Sequence, residues 1–127
     1  METMTRILTL NNEPEILGLL DMILTRAGYE HIGTTDTQQA LAVLRSEAVD
    51  LFIRDALCPE MNGGTARALG DIPMLILTAL SFNTLPESYR HKLAALYPTQ
   101  YLTMPFSPHK LLTLIQSLLR GPASSES

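Results

Sequence analysis

The sequence predicts an α/β domain: a five-stranded parallel sheet, doubly wound, with helices on both faces. Three observations carry that expectation. Five short apolar runs are spread along 127 residues, and helical periodicity fills most of the gaps between them. The third and fourth runs are apolar without alternation, as strands covered on both faces require. Parallel neighbours need crossover connections, and for five strands wound this way the expected order is 2-1-3-4-5.

The elements follow in order. "RILTL" (6–10) is short and apolar, a buried strand. Glu13 and Pro14 open a helix, proline being tolerated in the first turn where its missing N–H has no intrahelical acceptor to lose. Ile16, Leu20, Ile23 and Ala27 form one helical stripe, and Gly28 ends the helix. "HIGTT" (31–35) is a weaker second strand. Asp36 is placed to cap a helix that carries Ala40, Leu41 and Leu44. "VDLFIRD" (49–55) is the third strand.

"CPEMNGG" (58–64) is a loop by composition, and "TARAL" (65–69) supports only a short helix. "PMLILTA" (73–79) is the fourth strand. Pro86 can begin the next helix, with Leu85, Tyr89, Leu93 and Leu96 on one side and Pro98 ending it. "QYLT" (100–103) is a fifth strand. A last helix has Ser107 as N-cap, Pro108 in its first position, Arg120 in its last turn and Gly121 as its stop. The domain is therefore expected over 5–120, with 121–127 a flexible tail or the start of a linker.

Composition narrows the function classes. The chain is 46% hydrophobic and 17% charged, as a compact globular domain is. A net charge of -4 argues against a nucleic-acid surface on this segment. No apolar run reaches the roughly 18 residues of a membrane helix, and no signal-peptide pattern opens the chain. The single Cys58 cannot close an internal disulfide, so a reducing, cytoplasmic setting is expected.

In a sheet wound this way, ligands sit at the carboxyl ends of the strands near the switch between the first and third. The residues at those ends are Asn11 and Asn12 (first strand), Asp55 (third), Thr78 (fourth) and Met104, just after the fifth. They are expected to surround one pocket.

The segments "DLFIRDALCPEMNGG", "PMLILTAL" and "YLTMPFSPHKLL" carry a family resemblance. Taken together, they make the chain resemble the receiver domain of two-component response regulators, a flavodoxin-like fold, over roughly 5–120. By position, the resemblance makes Asp55 the phosphoacceptor, Thr78 the switch hydroxyl and Tyr101 the switch aromatic. It also implies an acidic pair where this chain has Asn11 and Asn12, and a lysine where it has Met104. Pro105, which often follows a cis peptide bond in such domains, is retained. The chain thus resembles an atypical, degenerate receiver (a pseudo-receiver).

The substitutions bear on the chemistry that the resemblance implies. In a receiver, magnesium bridges the carboxylates and the phosphoryl oxygens, neutralising charge during transfer. Mg²⁺ prefers anionic oxygen ligands and gives up its waters reluctantly. Asparagines offer oxygens without charge, and each lost ion contact at about 4 Å is on the order of 4 kcal/mol at an effective dielectric near 20, before desolvation. A lysine facing asparagines would have lost its charge partners, so Met104 is consistent with the other two changes. Magnesium binding is expected to be weak or absent, and no other cofactor is implied.

The same residues also have plainer readings. Asp55 is either an acceptor or a relic held by Thr78 and backbone N–H groups. Thr78 can simply close a strand, and Tyr101 can be a packed edge aromatic. Glu13 is read as a first-turn acid favoured by the helix dipole rather than a site carboxylate. Arg54 points to the other side of the strand from Asp55, balancing an acid or reaching solvent. Cys58 is read as filler. His31, His91 and His109 lack metal-ligand spacing and are read as surface or edge residues.

The leading expectation is a non-enzymatic signalling module acting through protein contacts. Its partner face would be formed by the last two helices and the fifth strand: Tyr89, Tyr101, Leu102 and the exposed side of 108–120. That face would serve a homodimer, another protein or a C-terminal output domain. One alternative is a receiver phosphorylated at Asp55 in a phosphorelay. Another is a regulatory domain binding a small molecule between Asn11, Asp55 and Met104. A flavin site is disfavoured, because the first loop lacks the small residues that cradle phosphate. A haloacid-dehalogenase site is disfavoured because Asp55 is followed by "ALC", with no acid two residues on.

Overall fold

A computed structural model describes residues 4–55, 72–78, 87 and 99–124. Its elements are β1 (Arg6–Leu10), α1 (Pro14–Arg26), β2 (Glu30–Thr34), α2 (Thr37–Ser46), β3 (Leu51–Asp55), β4 (Met74–Thr78), β5 (Thr99–Thr103) and α3 (Pro108–Ser124). The strands form one parallel sheet in the order β2-β1-β3-β4-β5, as expected from the sequence. The loop over 58–64, the short helix over 65–69, the helix opened by Pro86, Cys58, Tyr89 and His91 lie outside the described residues.

Each face of the sheet is covered because alternate side chains of a strand point to opposite sides. Leu8, Leu10, Phe52, Met74 and Ile76 point to one side and pack with Ala40, Leu41 and Leu44 of α2. Ile7, Leu51, Ile53, Leu75, Leu77 and Leu102 point to the other, where Leu20 and Leu24 of α1 and Leu111, Ile115 and Leu118 of α3 cover them. The strands β3 and β4 are buried along their apolar length, which accounts for their lack of alternation in the sequence.

Helix ends follow local chemistry. α1 has proline in its first turn, Glu15 near its positive end and Arg26 near its negative end. It stops at Ala27, after which Gly28 takes φ +95°, a conformation that glycine alone adopts without strain. Asp36 caps α2 by accepting the N–H of Gln38 at 3.0 Å. Ser107 Oγ accepts the N–H of Lys110 at 3.1 Å at the start of α3. One boundary needs correction: Gly121 is not a stop, and α3 runs on through Pro122 to Ser124. A proline forfeits one backbone bond without obliging the helix to end there.

The amino-terminal edge of the sheet is tied by Arg6. Its backbone N–H donates to Asp50 Oδ2 at 2.8 Å, its Nε to Glu30 at 2.8 Å and its Nη1 to Glu47 at 2.9 Å. The hydrogen bond to Glu30, then the nearby carboxylate charges, hold the guanidinium pKa above its ordinary value against some desolvation. One residue thereby joins β1, β2 and the segment that leads from α2 into β3.

Candidate functional site

Strand register sets out the carboxyl edge. Leu10 lies beside Arg54, so Asn11 and Asp55 occupy adjacent places one residue further on. Asp55 lies beside Leu77, and Thr78 beside Thr103. The N–H of Met104 donates to the carbonyl of Thr78 at 2.8 Å, which carries the row on past the end of β5. Four of the five sequence-predicted positions, Asn11, Asp55, Thr78 and Met104, therefore stand in order across the ends of β1, β3, β4 and β5. Asn12 differs, lying exposed on the bend before α1.

Asn11 is only 1% exposed and is held from two sides. Its N–H donates to the Thr34 carbonyl at the end of β2, at 3.1 Å. Its Oδ1 accepts the N–H of Glu13 at 2.9 Å, an Asx turn that leads the chain into α1. That bond also fixes which end of the carboxamide is oxygen. Asp55 is partly exposed and Thr78 is buried at 2% exposure. Tyr101 and Met104 are partly buried. Burial holds the Tyr101 phenol pKa above its ordinary value, because the phenolate loses hydration there. The Met104–Pro105 peptide is cis.

Two neighbours of the site are covered more fully than a surface or solvent-reaching residue would be. Arg54 does not reach solvent: it is 4% exposed, on the α2 side of the sheet, and its Nε donates to the Asp55 carbonyl at 3.3 Å. His31 does lie on the edge strand β2, but its side chain is covered, at 2% exposure. Its Nδ1 meets Asp21 Oδ1 at 3.0 Å and its Nε2 meets the fully buried Thr9 hydroxyl at 2.9 Å. The sequence held one clue to this. Gly33, two residues after His31, leaves the space that the imidazole uses; a Cβ there would meet Leu17 at 3.2 Å and His31 at 3.3 Å. The Asp–His–Thr chain has the order of a nucleophile relay, but a hydroxyl without solvent access cannot attack a substrate, so the trio serves packing.

The donor set bears on a metal of the kind that the resemblance implies. Among the described residues, no group of three or more histidine, cysteine or acidic side chains converges. At the row itself, among the described residues, the anionic oxygen comes from Asp55, and its neighbour Asn11 offers only a neutral amide oxygen, which also accepts a backbone N–H. That set is a poor fit to Mg²⁺. No helix among the described residues is long and apolar enough to cross a membrane.

No family model matches the chain. A probable transcriptional regulator, ycf27, of Porphyridium aerugineum is 33% identical over 119 residues, covering 91% of this chain and 48% of that protein. The phosphate regulon transcriptional regulatory protein PhoB of Pseudomonas aeruginosa is 33% identical over 129 residues, covering 94% of this chain and 55% of its own length. The chain thus spans about half the length of the curated relatives it matches. The chemotaxis response regulator CheY4 of Vibrio cholerae shares the fold with a TM-score of 0.75 and 28% identity, covering 91% of this chain and 99% of that one. Sheet order and these likenesses converge on a receiver (CheY-like) domain, similar to those of response regulators.

Proposed function

We propose that this receiver acts mainly through protein contacts, with Mg²⁺-dependent phosphorylation of Asp55 weakened or lost. The observation that supports this reading is the neutral, buried Asn11 beside Asp55. A neutral amide there supplies no charge to a divalent cation, and Asn12, the other position of the pair, is neutral and exposed. Met104 gives the far end of the row a thioether in place of a cation, so an acyl phosphate on Asp55, with roughly two negative charges, would lack its counter-charge. Signalling would then depend on surfaces: β5 with Tyr101, and the exposed side of α3; Leu102, expected on that face, is buried at 2% exposure among the core residues that α1 and α3 cover. The curated relatives are transcriptional regulators about twice as long, which supports a role for such a face in holding an output domain.

The test is direct. The domain is incubated with a small acyl-phosphate donor, with and without Mg²⁺, and its intact mass is read against an Asp55→Asn blank. The expected result is no adduct up to tens of millimolar Mg²⁺. A metal-dependent phosphoryl adduct that disappears in the blank overturns the reading.

That opposite outcome is the second reading, a receiver phosphorylated at Asp55. It is favoured by one observation: Asp55 stands at the carboxyl edge and is partly exposed. Under this reading Thr78 and Tyr101 keep the switch positions.

A further inference from the structure

The Asp21–His31–Thr9 chain cannot deliver a nucleophile, but its middle member is able to hold its protons in two ways. The His31 side chain is 2% exposed, and its two ring nitrogens meet side chains of two different elements. Nδ1 meets Asp21 Oδ1 of α1 at 3.0 Å, and Nε2 meets the Thr9 hydroxyl of β1 at 2.9 Å. Asp21 is 62% exposed and Thr9 is fully buried, so the chain runs from water into the core.

The chemistry of the two partners decides which states the ring can adopt. An ionised carboxylate only accepts, so Nδ1 carries a hydrogen whether the ring is neutral or charged. A hydroxyl both donates and accepts. Thr9 therefore donates to Nε2 of the neutral ring and, by rotating, accepts from Nε2–H of the imidazolium. Neither state leaves a covered ring nitrogen without a partner, which is the condition that makes a buried polar group costly. A backbone carbonyl or N–H in the place of the Thr9 hydroxyl would have admitted one of the two states and not the other.

Two opposing influences act on the charged state. Burial disfavours the imidazolium, and the Asp21 carboxylate favours it. Asp21 is the charge that α1 turns toward the ring; Glu15 and Arg26 lie about 120° and about 140° from it round the helix. From β1 the ring meets the Thr9 hydroxyl. Arg6 and Glu30, paired with each other, alternate onto the opposite, α2 side of the sheet. On β2, Gly33 has no side chain to add. Among the described residues, then, a charge on His31 is answered by Asp21.

We infer that Asp21, His31 and Thr9 form a proton-operated tether of α1. With His31 charged, an ion pair holds the middle of α1 to the sheet. With His31 neutral, hydrogen bonds alone hold it. Histidine is the side chain whose charge ordinarily changes between pH 5 and 8, so the tether responds in the physiological range. Because Asp21 favours the charged ring, its contribution is present in acid and is lost as pH rises through that range. The tether does not depend on whether Asp55 is phosphorylated.

The test uses Asp21→Asn, which keeps an acceptor oxygen at an exposed position and removes the charge. Urea unfolding is compared at pH of about 5.5 and about 8.5, both above the ordinary carboxylate range. At the lower pH the variant is expected to unfold more readily, its unfolding constant raised on the order of fivefold over the wild-type chain. At the higher pH the difference is expected to shrink to within about twofold. In a His31→Gln background the effect of Asp21→Asn is expected to be the same at both pH values. Nitrogen-15 NMR of the wild-type ring follows the proton itself: Nδ1 is expected to stay protonated throughout, while Nε2 gains its hydrogen in acid. A deficit for Asp21→Asn that is equal at the two pH values overturns the inference, as does a pH-dependent deficit that persists with His31→Gln. So does a ring that keeps one charge state across the range, or one whose neutral form carries its hydrogen on Nε2.

Discussion

Asn11 Oδ1 accepts the backbone N–H of Glu13 at 2.9 Å, so the side chain beside Asp55 at the carboxyl edge also shapes the entry into α1. A carboxylate keeps that acceptor and adds a charge. Asn11→Asp, combined with Asn12→Asp and Met104→Lys, is therefore expected to fold normally and to bind Mg²⁺ at least about tenfold more tightly than the wild-type chain. Titration calorimetry with MgCl₂ reads the difference. Asn11→Ala instead loses the acceptor and is expected to lower stability by about 1 kcal/mol in urea unfolding.

His31 fills a covered niche that Gly33 keeps open. Gly33→Ala would place a Cβ 3.2 Å from Leu17 and 3.3 Å from His31, and the expected loss is about 1 kcal/mol. His31→Ala strands the buried Thr9 hydroxyl, with an expected loss of about 1–3 kcal/mol. Urea unfolding followed by circular dichroism measures both. A loss for His31→Ala indistinguishable from zero would show that the Thr9 contact contributes nothing net.

Asp36 caps α2 through the N–H of Gln38. Asp36→Ala is expected to remove about 1 kcal/mol of stability, and Asp36→Asn to retain most of it, since both aspartate and asparagine accept at this position. Thermal melts of the two variants separate loss of the acceptor from loss of charge.

The Tyr101 phenol titrates above its ordinary value, about 10, because burial penalises the phenolate. The sign follows from proton binding. Beyond the unfolded-state pKa the unfolded chain releases this proton more readily than the folded one, so stability falls as pH rises from there through the folded-state pKa. Below pH of about 10 this residue makes no pH-dependent contribution. Tyr101→Phe is expected to flatten that alkaline decline, and to remove a late-ionising phenol from the ultraviolet tyrosinate band of the wild-type chain.

Much of this molecule could be read before its structure. Apolar runs without alternation identified β3 and β4 because those strands are buried on both faces. The caps at Asp36 and Ser107 and the turn at Gly28 were legible because their chemistry is local. The row of Asn11, Asp55, Thr78 and Met104 was legible because parallel winding brings all carboxyl ends to one edge. What escaped depended on the third dimension. The strand β2 lies at 30–34 rather than 31–35, since an edge strand carries a weak apolar signal and its pairing with β1 sets its limits. The burial of His31 depended on a missing side chain two residues away and an acid ten residues earlier. Arg54 was recognised as unusual, but whether a long cation reaches water depends on what covers that end of the strand.

The strand order has a consequence for how the chain is made. The residues through Asp55 already include both strands that flank β1 in the sheet, and both asparagines. Each later strand pairs with the one just before it, β4 with β3 and β5 with β4, so beyond β1 the order across the sheet follows the order of synthesis. No strand has to be inserted between two that are already paired. A half-made chain therefore presents one growing margin, and the next segment to emerge is the one that covers it.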